Sequence, residues 1–134
     1  MKLIQKVALA YFKDKKMLQV RTKSQPEVFY MLGGKIEKGE SDIECLKREV
    51  KEEVSCELDE SSLKFLKEFE DVAHGKEDTM LKIKVYEGKL TGEIKPSSEI
   101  VEVGYFDTKS DPKNLSVIAQ REIFPWLMEN GYIS

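Results

Sequence analysis

The sequence predicts a mixed α/β fold, and three observations predict it. Several short apolar or alternating runs read as strands, a Ser-x-x-Glu sequence opens an amphipathic helix, and a second helical pattern lies near the end of the chain. With 134 residues, 40% of them apolar, the chain has the size of one ordinary domain, expected over 1–134, and can fill one layered core.

Each element has its own reason. Residues 6–13 read as a buried strand, and 17–21 as its neighbour across a charged turn at Asp14, Lys15 and Lys16. A polar loop with Ser24, Gln25 and Pro26 leads to a short apolar run, 28–32, which Gly33 and Gly34 are expected to end. Ser41 and Glu44 form a capping box, so a helix is predicted from about Asp42 to Val54 or Ser55. Strand-like runs follow at 63–72, 80–90 and 100–106. In the second of these Leu81, Ile83 and Val85 alternate with Lys82, Lys84 and Tyr86, as suits a strand with one buried face. A last helix is predicted after Asn114, with Val117, Ile118, Ile123 and Phe124 inward and an interruption at Pro125.

Charge narrows the partners. The chain holds 22 Lys and Arg against 25 Asp and Glu, a formal net of −3, which argues against polymeric nucleic acid or an anionic membrane as a partner. Residues 34–57 carry eight of the acids and five of the bases, leaving 17 of each elsewhere, so the whole excess lies in one segment. The apolar run at 7–12 is too short for a signal or membrane segment. Cys45 and Cys56 fit no metal spacing and read as small buried hydrophobes in a reducing compartment, so a cytoplasmic location is expected.

The acidic segment contains the predicted helix. On a wheel of about 100° per residue, Ile43, Leu46, Val50 and Val54 form the stripe that packs on the sheet. Glu49, Glu52 and Glu53 occupy an adjacent arc of about 100° and would raise one another's pKa. They form either a merely charged, exposed face or a site for something cationic, for which a hard divalent ion is the economical candidate. Gly34 to Gly39 has the glycine spacing of a P-loop, but Glu40 stands where that loop needs its lysine, which dismisses the motif.

Gly34, Glu40, Arg48, Glu49, Glu52 and Glu53, with the aliphatic Val50, form the spacing G-x5-E-x7-R-E-U-x-E-E. Six fixed identities would coincide by chance on the order of once in ten million windows. On these residues the sequence resembles the Nudix hydrolases, most nearly their MutT-like members. Ser55 replaces the glycine usual after the helix, Cys56 replaces an aliphatic residue, and Leu32 stands where proline is common.

The resemblance implies an α/β/α sandwich around a mixed sheet and hydrolysis of a nucleoside diphosphate linked to another group. It implies magnesium, or manganese in its place, held by Glu49, Glu52, Glu53 and the carbonyl of Gly34, with one glutamate or its bonded water as the base. Glu40 and Arg48 are expected to form an ion pair that ties the loop to the helix. Glu99 lies where MutT-like members carry a further metal-binding or basic glutamate, and reads otherwise as an exposed loop acid. Asn114 resembles an asparagine that reads an oxidised purine, and equally suits a helix N-cap. Arg21 is a candidate for a phosphate contact or a surface role, and His74 reads as a loop residue.

A small nucleotide is the expected partner, and a nucleoside triphosphate the expected substrate, cleaved to a monophosphate and pyrophosphate by a monomer or homodimer. ADP-ribose or a nucleotide sugar is the alternative substrate. A non-catalytic nucleotide-binding sensor is the alternative class, against which the intact Glu49, Glu52 and Glu53 count. Messenger-RNA decapping is disfavoured by the absence of a basic patch.

Overall fold

A computed structural model describes residues 2–134. Seven strands and two α-helices follow in the order β1 (Lys2–Ala10), β2 (Phe12–Lys13), β3 (Lys16–Thr22), β4 (Tyr30–Lys35), α1 (Asp42–Val54), β5 (Glu57–Ala73), β6 (Lys76–Thr91), β7 (Ile100–Phe106) and α2 (Phe124–Glu129). The sheet runs β2-β3-β4-β1-β6-β5, with β7 alongside β3. It is mixed because β1 and β6 pair in parallel while the other pairings are antiparallel.

Strand alternation sends successive side chains to opposite faces, and each face is covered by a helix. Val7, Leu9, Leu18 and Leu32 pack with Leu46, Val50 and Val54 of α1. Ala8, Met17, Ile83 and Val85 pack on the other face with Ile118, Ile123 and Leu127 of the C-terminal segment. The result is an α/β/α sandwich. Leu81, Ile83 and Val85 are buried and Lys82, Lys84 and Tyr86 half-buried, as the alternation predicts.

Several boundaries differ from the sequence expectation. β1 begins at Lys2 because the parallel ladder with β6 recruits four less buried residues, Lys2 to Gln5, ahead of its buried core, from Lys2 beside Thr79 onward. β5 begins at Glu57, six residues early, and its pairing with β6 shifts register three times, as bulges in a sheet-edge strand do. The Asp14-Lys15 turn joins β2 to β3 with both residues at positive φ, 53° and 62°, the backbone of a two-residue hairpin.

Gly33 and Gly34 do not end β4 but lie inside it, paired with Ala8 and Val7. Gly33 has φ +135°, and a Cβ there would stand 2.1 Å from the carbonyl oxygen of Val7, so only glycine lets the strand continue. Pro125 does not interrupt the last helix either. The turn before it, Ala119–Ile123, is π-helical, with the Phe124 N–H donating to the carbonyl five residues back at Ala119, and this wider turn leads directly into α2 with its proline in the first turn. In α1, Cys45 is fully buried and Ile43 is 39% exposed, so the apolar stripe begins one turn position later than the wheel suggested.

Candidate active site

Helix α1 is held at both ends by local chemistry. The Ser41 hydroxyl accepts from the Glu44 N–H at 3.1 Å and the Glu44 carboxylate accepts from the Ser41 N–H at 2.9 Å, which is the expected capping box. At the C-terminal end Ser55 adopts the left-handed conformation, φ 61°, where glycine would be unstrained. The loop from Gly92 to Glu99 docks there. Ser97 donates its hydroxyl to the Glu52 carbonyl at 2.5 Å and its N–H to the Glu53 carbonyl at 3.0 Å.

Arg48 organises the acidic residues. Its Nε and Nη2 donate to the two Glu40 carboxylate oxygens at 2.6 and 3.0 Å, a bidentate fork, while Nη1 donates to Glu49 at 2.6 Å. Glu52 lies 3.5 Å and Glu37 3.6 Å from the same nitrogen. Glu40 also accepts from the Glu37 N–H at 2.9 Å. These bonds hold its carboxyl down at a pKa of about 2, the guanidinium contributing most. The loop from Gly34 to Glu40 is thereby tied to α1.

Glu49 and Glu53 meet β4 at its two glycines. A Cβ on Gly34 would stand 2.8 Å from the Glu49 carboxyl carbon, so the missing side chain is the space that carboxylate occupies. Glu53 accepts from the Gly33 N–H at 3.0 Å. Burial pushes its pKa up to about 8; the Gly33 bond opposes this and the charges of Glu49 and Glu52 add to it. Burial also raises Glu49, against the pull of Arg48. Glu52 is half-exposed, at 52%.

Among the described residues, no three His, Cys, Asp or Glu side chains converge into a ready-made metal cluster. The reason is local, since Glu49 is turned onto Arg48 and Glu53 onto Gly33. The donors still suit a hard divalent ion. Three carboxylates share one helix face beside a strand carbonyl, and the Glu53 carboxyl is held where ionisation is unfavourable without a neighbouring cation.

Gly33, Gly34 and Glu53 line one end of a cavity of about 290 Å³. Lys6 of β1 and Lys35 of β4, which pair across the strands, line it as well. Burial and the neighbouring Lys35 lower the Lys6 pKa, while Glu53 and Glu49 act in the opposite direction. The cavity continues between the sheet and the C-terminal segment, past Gln19, Met31, His74, Ser116 and Ile118. His74 accepts the Val117 N–H on Nδ1 at 3.2 Å, which places this loop residue against the cavity.

Glu49 thus meets β4 at Gly34 and Glu53 meets it at Gly33, Glu52 lies exposed on the same helix face, and Arg48 bridges Glu49 to Glu40. The other candidates sit apart. Glu99 is exposed two residues beyond Ser97, and its carbonyl accepts from the Lys23 N–H at 2.9 Å. Arg21 forms an ion pair with Glu102 at 2.5 Å and stacks over Phe29. Asn114 is exposed at the end of a 3₁₀ turn, Pro112–Asn114, whose cap is Asp111, and its carbonyl accepts from the Phe29 N–H. The turn that starts the last helix is bonded instead by Ser116, whose hydroxyl accepts from the Ala119 N–H at 3.4 Å.

Lys6, Gln19 and His74 are the cavity residues that sequence reasoning missed. The available signal was a lone polar residue inside an apolar run, most clearly Gln19 within Met17-Leu18-Gln19-Val20.

Comparison with known proteins gives the family and the fold. The model of the NUDIX domain matches residues 4–127. No curated protein matches the sequence. Among solved structures, the chain is similar to a MutT NUDIX hydrolase from Burkholderia pseudomallei, with a TM-score of 0.74 and 17% identity over 96% of this chain and 98% of that one. It is similar to a mutator MutT protein from Bacillus halodurans, with a TM-score of 0.72 and 17% identity over 96% and 84%. It is also similar to an ADP-ribose pyrophosphatase from Streptococcus suis, with a TM-score of 0.57 and 18% identity over 87% and 81%.

Proposed function

Because the chain belongs to the Nudix family, whose members hydrolyse nucleotide-linked diphosphates, we propose that it is a magnesium-dependent pyrophosphohydrolase of small nucleoside triphosphates. The observation that carries this reading is the shared cavity: Gly33, Gly34 and Glu53 line it together with Lys6 and Lys35. One carboxylate suited to a metal, that of Glu53, and two ammonium groups suited to phosphate oxygens therefore line one space.

A bound divalent ion supplies neutralisation of phosphate charge and activation of water. The protein's own groups do the rest. Lys6 and Lys35 bind polyphosphate oxygens and offset their charge. Glu53, or Glu49 once released from Arg48, takes the proton of the attacking water. Arg48 and Glu40 position the helix against the loop. The exposed Glu99 is proposed to approach the substrate from the loop docked on the end of α1. Arg21 and Asn114 are proposed to contact the nucleotide only if their present partners or loop shift, since neither lines the cavity.

Similarity to MutT proteins of Burkholderia and Bacillus supports the MutT-like reading, for which a triphosphate is the expected substrate. The name of the Streptococcus protein supports ADP-ribose as a second reading. A panel of nucleoside triphosphates, ADP-ribose and nucleotide sugars, incubated with magnesium and with both products identified, separates them. The expected result is a nucleoside monophosphate and pyrophosphate from a triphosphate. Turnover of ADP-ribose alone overturns the triphosphate preference and leaves the family untouched.

A further inference from the structure

We propose that Gln19 is the residue with which this site reads a nucleobase, its side-chain amide pairing with an adjacent donor and acceptor on the base edge. The inference rests on the nucleotide reading above. Gln19 is fully buried, and neither its Nε2 nor its Oε1 has a partner within the protein. An amide buried in this way is costly, and most buried polar groups are paired, so the exception requires a reason. Its neighbours across the sheet do not supply one. Gln19 lies beside Met31 on β4 and Gly104 on β7, neither of which has a side-chain hydrogen-bonding group for it.

The amide lines the same cavity as Glu53 and the two lysines. Met31 precedes Gly33 by two residues on β4, about 7 Å along a strand, so the amide and the proposed phosphate end are close neighbours in one space. Met31 and Ile83 on the sheet face Ile118 and Ile123 from the C-terminal segment, giving apolar walls for a flat ring. A glutamine amide presents an N–H donor and a C=O acceptor side by side, the pair that matches a base edge such as N6 and N7 of adenine. Base-free diphosphates leave this pair unmet, which gives the cavity a preference for nucleotides.

Gln19→Met tests the assignment, because methionine keeps the volume and removes both hydrogen-bonding atoms. Calorimetric affinities for adenosine, guanosine, cytidine and uridine monophosphates are compared in wild type and variant, alongside kcat and KM for the triphosphates and thermal melting. The variant is expected to lose roughly 10- to 100-fold in affinity for the preferred monophosphate, with the spread among the four bases narrowed. The loss in turnover falls on KM rather than on kcat. Its Tm is expected to equal or exceed that of wild type, because an unpaired buried amide has been removed. Unchanged monophosphate affinities overturn the proposal, as does a lowered Tm with equal loss for every base, the mark of a structural role. Absence of monophosphate binding in wild type overturns it too. Gln19-dependent monophosphate binding without hydrolysis of any triphosphate leaves this inference standing and overturns the triphosphate function.

Discussion

Arg48 ties the loop to the acidic helix through three bonds, two to Glu40 and one to Glu49. Lysine at this position keeps the charge and loses the fork, so Arg48→Lys is expected to cost about 2 kcal/mol in urea denaturation. Retention of full stability would contradict the tie between loop and helix. The Glu40 carboxyl, held at about 2, contributes stability that is present above its ordinary value of 4.5 and lost as the pH falls towards 2. The Glu40–Arg48 pair was legible through the resemblance to the Nudix hydrolases, whose motif implies which residues meet. Gln19 and Lys6 were less legible. A polar residue in an apolar strand can face solvent, a partner or a cavity, and only the packing of the C-terminal segment over the sheet decides which.

At the scale of elements, both ends of α1 make quantitative expectations. Ser41→Ala removes one side of the capping box and should cost about 1 kcal/mol by chemical denaturation. Ser55→Gly relieves a left-handed serine but frees the unfolded chain and loses the 3.3 Å contact with Ser97, leaving a net gain of about 0.5 kcal/mol. A loss of stability would mean that the Ser97 contact outweighs the backbone term. This helix was readable almost to the residue because its caps are local chemistry. The strands were readable in place but not in length, since β1 and β5 are extended by ladder bonds to β6 that no local pattern encodes. Gly33 misled for the same reason. A glycine pair usually marks a turn, but here the carbonyl of Val7 on the neighbouring strand requires it inside one.

For the whole molecule, the acidic segment is expected to couple folding to pH and, through the proposed metal site, to magnesium. Glu53 is protonated up to about pH 8 in the folded, metal-free protein and only to about 4.5 once unfolded. Between these values the folded state holds the extra proton, so stability in chelator is expected to fall as the pH rises through that window. Magnesium offsets the charge, and at 100 times its Kd would add about 2.7 kcal/mol to stability. Melting curves in chelator and in magnesium at pH 6 and pH 8 check both signs. A magnesium effect that is no larger at pH 8 would contradict the linkage. Glu53→Gln should flatten the pH slope in chelator while keeping the fold, because glutamine can still accept the Gly33 N–H. This makes the same variant the most direct test of the central claim, that a metal-dependent hydrolase site is built on Glu49, Glu52 and Glu53. The measurement is the rate of magnesium-dependent pyrophosphate release from the preferred nucleoside triphosphate, in wild type and in Glu53→Gln of equal Tm. A loss of about 100-fold or more is expected in the variant; equal rates would contradict a site built on these glutamates.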